Sequence, residues 1–386
     1  NHEWSARAEA FRAVNVALHA LNTTLVFVFA RTMAQRLGNP PDDRATAVAV
    51  LTALVFALHP VQTESVTYIA ARPNLIATLF SLAALLAWLR GRERHTTAWW
   101  SLATLCFIAA LAGKETAAVL PLAMLLCLAA EHRLGVREAA FPLGLCGFAG
   151  VLLVAVWAHF PYDYLVRTSL ATRGPLENLL AQATGLSWLV GQLVRWDRLN
   201  ADPMLQVSGA TTTVLQGALL MLAFVGGLMA LRRRPAVAFG ILWFFLWLAP
   251  TNSLLARLDL ANDRQLYLAL LGPAWLLAQA VSRWPRAVLP LGLLLGVLLA
   301  TATFQRNRVY ATEVTFWHDV VTKSPHNGRA WNNLGMAEAL RCRPAEAASA
   351  FEEAMRVAPD DFRAEINLAL LRQGELPGVE GDCAER

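Results

Sequence analysis

Apolar residues fall in eleven runs before residue 305, at about 13–34, 45–58, 74–89, 97–112, 116–130, 139–158, 179–194, 211–231, 235–250, 266–281 and 287–304. A helix that spans a bilayer needs about 20 predominantly apolar residues, with a lower limit near 17. The shorter runs must therefore extend into their polar flanks. The pattern predicts an all-α protein whose larger part is a bundle of membrane helices.

Arginine placement orients that bundle. Loops 31–44, 90–94, 133–137, 232–234 and 283–286 hold 13 arginines, and loops rich in Lys and Arg face the cytoplasm. The first three alternate with loops 59–73 and 113–115, which then face outward. Parity fails after run 139–158 unless one later run does not cross. Run 179–194, with Gln182, Thr184, Ser187 and Gln192, is the shortest candidate there. It reads as a re-entrant or interfacial helix in a long outer segment, 159–210. About ten crossings remain, and the chain after Phe304 emerges outside. His59, Glu64, Arg72, Lys114, Glu115, Asp263 and Arg264 then share the outer face.

Composition agrees with this class. Hydrophobic residues make up 56% and charged residues 16% of the 386, against about a quarter charged in soluble domains. The 13 tryptophans suit the two bilayer interfaces. The net charge of +5 sits in short loops without aromatic interleaving, so nucleic acid is not an expected partner. Five scattered cysteines with no ligand spacing read as unpaired thiols. No Walker loop, GxGxxG, GxSxG or HExxH occurs, which disfavours a nucleotide-sugar donor in a Rossmann domain.

From Thr312 the sequence turns polar. "WNNLGMAEALRCRPAEAASAFEEAMRVAPDD" carries Trp331, Leu334, Gly335, Ala347, Phe351, Ala354 and Pro359, the W-x-x-L-G, small, aromatic, small, proline spacing of a 34-residue tetratricopeptide repeat. One full repeat is expected at 328–361 and a further one from Phe362, with 313–325 closing a degenerate predecessor. The domains expected are thus 1–311 for the membrane bundle and 312–386 for an α-solenoid that continues past Arg386. Stacked repeats make concave peptide-binding surfaces, with Trp331 and Asn333 as candidate acceptor contacts; a short helical cap without a ligand is the competing reading.

"HPVQTESVTYIAARPNLIATLF" (59–80), "GKETAAVLPLAML" (113–125) and "NDRQLYLAL" (262–270), followed by such repeats, resemble the transmembrane and tetratricopeptide-repeat-containing O-mannosyltransferases and their bacterial relatives, members of the GT-C superfamily. "FRAVNVALHALN" (11–22) resembles their second span. The resemblance implies transfer of a sugar from a polyprenyl-phosphate carrier to an exported polypeptide on the outer side of a membrane. The Ala/Leu/Arg-heavy usage suits a bacterial inner membrane with periplasmic repeats; a eukaryotic homologue would place them in the ER lumen. It also implies that a first span and an acidic catalytic loop precede Asn1. Glu3 is a poor substitute for that acid, so the general base is expected outside this chain.

Several residues then acquire candidate roles. His59 and Glu64, at a membrane edge, are catalytic candidates that can orient an acceptor hydroxyl or hold a divalent cation, no other cofactor being expected. Helix capping plus a salt bridge to Arg72 or Lys114 explains them equally well. Arg72, Lys114 and Arg264 are cations suited to a carrier phosphate that gains charge as it leaves, with interfacial snorkelling as the plain alternative. Glu115, Asp263 and Tyr267 complete the candidate substrate contacts, Tyr267 lying three residues beyond Arg264 on one helical face. Asn15, His19 and Asn22 share a face of the first span and are expected to bond to other helices. Asp42 and Asp43 read as a solvated inner turn. A non-catalytic membrane scaffold that recruits partners through its repeats is the competing function.

Overall fold

The computed structural model describes residues 2–38, 42–159, 162–252, 256–257 and 259–376, with backbone alone for 2–8, 69, 162–163 and 165. The side chain of Glu3, and Cys383, lie outside the described residues. Every apolar run is helical, and no strand occurs among the described residues. The helices are α1 (His2–Arg36), α2 (Asp42–Leu58), α3 (Thr63–Thr67), α4 (Arg72–Arg94), α5 (Thr97–Gly113), α6 (Leu120–Ala130), α7 (Val136–His159), α8 (Tyr162–Thr172) and α9 (Pro175–Gln192). They continue as α10 (Ala210–Ala230), α11 (Pro235–Leu248), α12 (Leu266–Ala269), α13 (Leu271–Val281) and α14 (Pro285–Val309). The last four are α15 (Glu313–Lys323), α16 (Gly328–Ala339), α17 (Pro344–Val357) and α18 (Arg363–Gln373).

The chain divides into two compact units. One holds 1–194 and 207–303, the other 195–206 and 304–386. The division precedes the composition change at Thr312, and the second unit takes a piece of the long segment between α9 and α10.

In the first unit, α1, α4, α7, α10 and α14 are long and apolar enough to cross a bilayer. The pair formed by α2 and Pro60–Thr67, bent by 50°, makes a sixth if it counts as one span. The apolar helices at Thr97–Gly113, Glu115–Ala130, Pro235–Leu248 and Leu271–Val281 are shorter, at 10–17 residues. The first unit is therefore a multi-pass membrane bundle, and α9 is not among its candidate spans. Burial separates centre from rim: 67% of the apolar window of α4 is buried, against 11% for α10 and for α14. A helix apolar all round with one face unburied suits contact with lipid.

Two devices hold the centre. Phe29, Phe239, Trp243 and Trp275 form a buried aromatic cluster, with Trp243 5.4 Å from Phe29 and Trp275 5.4 Å from Phe239 between ring centres. Both buried indoles are satisfied: Trp243 Nε1 donates to the Leu268 carbonyl at 2.9 Å and Trp275 Nε1 to the Ala236 carbonyl at 2.7 Å. Between α11 and α13 the backbones meet at Gly240 and Gly272, where a Cβ on Gly272 would collide with the Gly240 carbonyl oxygen. Small residues permit such contact between membrane helices, where no hydrophobic force drives helix association. At the arginine-bearing ends, Glu131 is buried between Arg92 (3.1 and 2.8 Å) and Arg36 (3.4 Å), tying α1, α4 and the end of α6.

In the second unit, α15 to α18 each pack on the next, and α16 also meets α18. Phe351 is fully buried, and a Cβ on Gly335 would lie 2.6 Å from its ring. Cys106, Cys127 and Cys146 are free thiols. Cys342 is disulfide-bonded, which corrects the expectation of unpaired thiols throughout.

The glycine contact sets a stability test. Gly272→Val should lower the melting temperature of the detergent-solubilised protein by several degrees, since overpacking costs about 1–3 kcal/mol. Gly226→Ala, with open space around its Cβ position, should melt like the parent in the same assay.

Candidate functional site

The site begins where α2 stops. Pro60 cannot continue the helix, so His59 turns extended and caps the short turn Pro60–Gln62. Its Nδ1 accepts from the Val61 N–H at 3.2 Å. Nε2 must then carry the proton and donate to the Leu193 carbonyl at 3.1 Å. A ring that accepts at one nitrogen and donates at the other is neutral, and backbone engages both nitrogens.

Five residues on, Glu64 is 3% exposed. Its Oε2 accepts from the backbone N–H of Arg264 at 2.9 Å, and Oε1 lies 3.8 Å from the Arg264 Nε. A carboxylate taken out of water needs such partners. Arg264 also reaches Asp259, at 3.8 Å. Glu64 thereby joins the loop after α2 to the turn before α12.

Lys114 ends α5 and bonds through Nζ to Asn74 Oδ1, while Asn74 Nδ2 donates to the Arg264 carbonyl at 3.4 Å. Asn74 therefore draws the two cations together. Both line a cavity of about 40 Å³, with Asn74, Thr78 and Ser81 from α4, Trp247 from α11, and Gln265 and Tyr267 from the turn and α12. Among the described residues, Lys114 and Arg264 are its only charged lining residues. Burial pushes the Lys114 ammonium below the ordinary lysine value; Glu115 opposes this, Arg257 and Arg264 add to it, and Glu64 opposes it. The chemistry available is anion binding.

Tyr267 ties the cavity wall to the core. Asn22 Nδ2 donates to its hydroxyl oxygen at 3.1 Å, so the phenolic O–H donates to His19 Nδ1 at 2.8 Å. His19 Nε2 in turn donates to the Ala57 carbonyl at 3.1 Å. Asn22 also reaches the Leu75 carbonyl, and Asn15 the Val66 carbonyl. The stripe of Asn15, His19 and Asn22 thus bonds between helices.

The remaining candidates lie apart from the cavity. Arg72 donates to Asn15 Oδ1 at 3.0 Å and stacks over Phe11 at 4.8 Å; it does not line the cavity. Glu115 is exposed and does not line the cavity, and Asp263 is buried in the turn beside Arg264. Among the described residues, no group of three His, Cys, Asp or Glu is placed to hold a metal ion. In the second unit, Trp331 is half-buried between two apolar clusters and donates to the Pro325 carbonyl at 2.8 Å. Asn333 is half-buried, and its neighbour Asn332 accepts from Asn367 at 2.9 Å.

Sequence reasoning passed over Asn74, Thr78 and Ser81. Their signal is the spacing i, i+4, i+7, which sets three polar side chains on one face of an apolar span. The lowered Lys114 value sets the pH test. Affinity for a phosphate-bearing ligand should fall as pH rises through a point below that of an ordinary lysine. Lys114→Arg should carry binding unchanged through that window. An alkaline limb identical in both proteins would mean that Lys114 does not hold the anion.

With that geometry in view, comparisons with known proteins point to one chemistry. Residues 8–159, less than half the chain, match the family described as dolichyl-phosphate-mannose-protein mannosyltransferase. An 85-residue stretch, 22% of the chain, is 38% identical to the mouse protein O-mannosyl-transferase TMTC1 and 35% identical to its human counterpart. That stretch spans only 8% and 9% of those relatives' lengths. No solved structure matches. In its membrane bundle, the chain is similar to glycosyltransferases of the mannosyltransferase type.

Proposed function

We propose that the chain is a glycosyltransferase that moves a mannosyl group from a polyprenyl-phosphate carrier to a Ser or Thr hydroxyl of an exported polypeptide, on the outer face of the membrane. The observation that carries this reading is the meeting of Lys114 and Arg264, far apart in the chain, as the sole charges among the described residues that line a cavity in a membrane bundle. The family match over 8–159 supplies the reaction class.

In this reaction the acceptor oxygen attacks the anomeric carbon. The bond from that carbon to the phosphate oxygen breaks, and the phosphate leaves with the electron pair. Lys114 and Arg264 stabilise the charge that develops on it. Asn74 and Glu64 position those cations, and His59 fixes the loop that carries Glu64. The base that takes the hydroxyl proton is not assigned among these residues. The second unit, read as tetratricopeptide repeats, presents the polypeptide, with Asn333 and its counterpart one 34-residue period later, Asn367, as backbone contacts. The disulfide at Cys342 suits an oxidising compartment.

The test is transfer from a polyprenyl-phosphate-linked mannose to a polypeptide by the full-length protein in lipid. Lys114→Ala and Arg264→Ala should each lower transfer about tenfold or more; Lys114→Ala should melt like the parent, whereas Arg264→Ala, which takes the guanidinium away from buried Glu64, should also melt lower. Asn333→Ala with Asn367→Ala should raise the acceptor KM and leave hydrolysis of the donor by water unaltered. Undiminished transfer by both cation variants would remove them from the donor site. Binding of polypeptide without any transfer would favour a scaffold.

A further inference from the structure

The cavity beside Lys114 and Arg264 holds more hydrogen-bonding capacity than the protein uses. Ser81 is 1% exposed and Trp247 8% exposed, yet Ser81 Oγ and Trp247 Nε1 have no partner, nor does either end of the Gln265 amide. All three residues line the same cavity. Of the other polar lining residues, Asn74 is committed to Lys114, Tyr267 to His19 and Thr251 to the Leu248 carbonyl, and Thr78 and Thr116 add two more hydroxyls to the lining.

Buried polar groups without partners are costly and rare, and each one calls for a cause. Here three residues that carry such groups, from three different elements, line one cavity. Each can act as a donor: a hydroxyl, an indole N–H that can only donate, and an amide NH₂. Cations at the same cavity add two more donors and no acceptor. The Gln265 Oε1 and the Ser81 hydroxyl can also accept, but the two cations supply a charge complement that an anion uses and a neutral polyol does not.

Dimensions narrow the ligand. One water needs about 10–15 Å³ of such space, so a cavity of about 40 Å³ takes a group of a few heavy atoms, on the scale of a phosphoryl group. Asn74, Thr78 and Ser81, at i, i+4 and i+7, share one face of α4 and line the cavity over two turns.

We infer that Ser81, Trp247 and Gln265 are neutral donors to the phosphate of the lipid carrier, completing with Lys114 and Arg264 a pocket that holds the leaving group. The inference rests on the donor-site reading above and adds three residues to it. Neutral donors held in place by the fold stabilise charge without needing to reorganise as it develops. They therefore serve the departing phosphate.

The experiment compares two lipids on the full chain in nanodiscs: a polyprenyl monophosphate and the uncharged polyprenol of the same length. Ser81→Ala and Trp247→Phe remove one donor each with little change of shape. Each should weaken the monophosphate about ten- to a hundredfold, as loss of a hydrogen bond to a charged group does, and leave the polyprenol unmoved. Ser81→Thr, which keeps the hydroxyl, should retain monophosphate affinity. If Lys114→Ala weakens the monophosphate but Ser81→Ala and Trp247→Phe do not, the inference is overturned and the donor-site reading survives. If Ser81→Ala and Trp247→Phe weaken both lipids equally, the residues act by packing and the inference again fails. A wild-type protein that binds both lipids alike would remove the donor-site reading itself.

Discussion

A buried carboxylate organises the candidate site. Glu64 sits at the edge of an apolar bundle, where an unpartnered charge costs several kcal/mol, about 3–5 when one member of a buried pair is removed. Its partners come from the turn before α12: the Arg264 N–H at 2.9 Å and the Arg264 guanidinium at 3.8 Å. That demand brings together two segments 200 residues apart. Once the turn is docked, the Arg264 carbonyl is in place for Asn74, and Asn74 for Lys114. The convergence of cations follows from satisfying one acid.

A second constraint supports the first from below. Tyr267 follows Arg264 by one turn, and its hydroxyl is held by Asn22 and His19 of α1. Gln62 reaches the Tyr267 carbonyl at 3.1 Å. The loop after α2 and the turn before α12 are therefore stitched to the bundle by neutral hydrogen bonds. In an apolar interior each of these contributes about 0.6–2 kcal/mol. Glu64 supplies charge pairing and Tyr267 supplies register, so the cavity has walls fixed by two independent means.

Much of this was legible in the sequence, for reasons specific to each residue. The apolar runs read directly as helices because length and composition decide that outcome. Lys114, Arg264 and Glu64 stood out because charge is rare at a membrane edge. Asn15, His19 and Asn22 announced themselves by helical spacing. Three things were not legible. The partner of Glu64 was expected to be Arg72 or Lys114, yet pairing between distant loops depends on tertiary contact, and Arg72 is instead engaged by Asn15 and Phe11. His59 left a catalytic and a capping role equally open, and only the tertiary contact decides between them: its nitrogens are spent on Val61, as a cap, and on Leu193. The segment 195–206 belongs to the second unit, where Asp202 pairs with Arg329 and Asn327 donates to the Asp202 carbonyl. Nothing in its short polar sequence marks that destination.

The central claim is that the phosphate of a lipid carrier sits between Lys114 and Arg264. The most direct measurement is an electron cryomicroscopy map of the full-length protein in nanodiscs containing a polyprenyl monophosphate. The account requires the phosphorus to lie within contact distance of Lys114 Nζ and the Arg264 guanidinium, on the Asn74–Ser81 face of α4. A phosphate resolved at the arginine-bearing ends near Arg92 and Glu131, or on the lipid-facing side of α10, would contradict it.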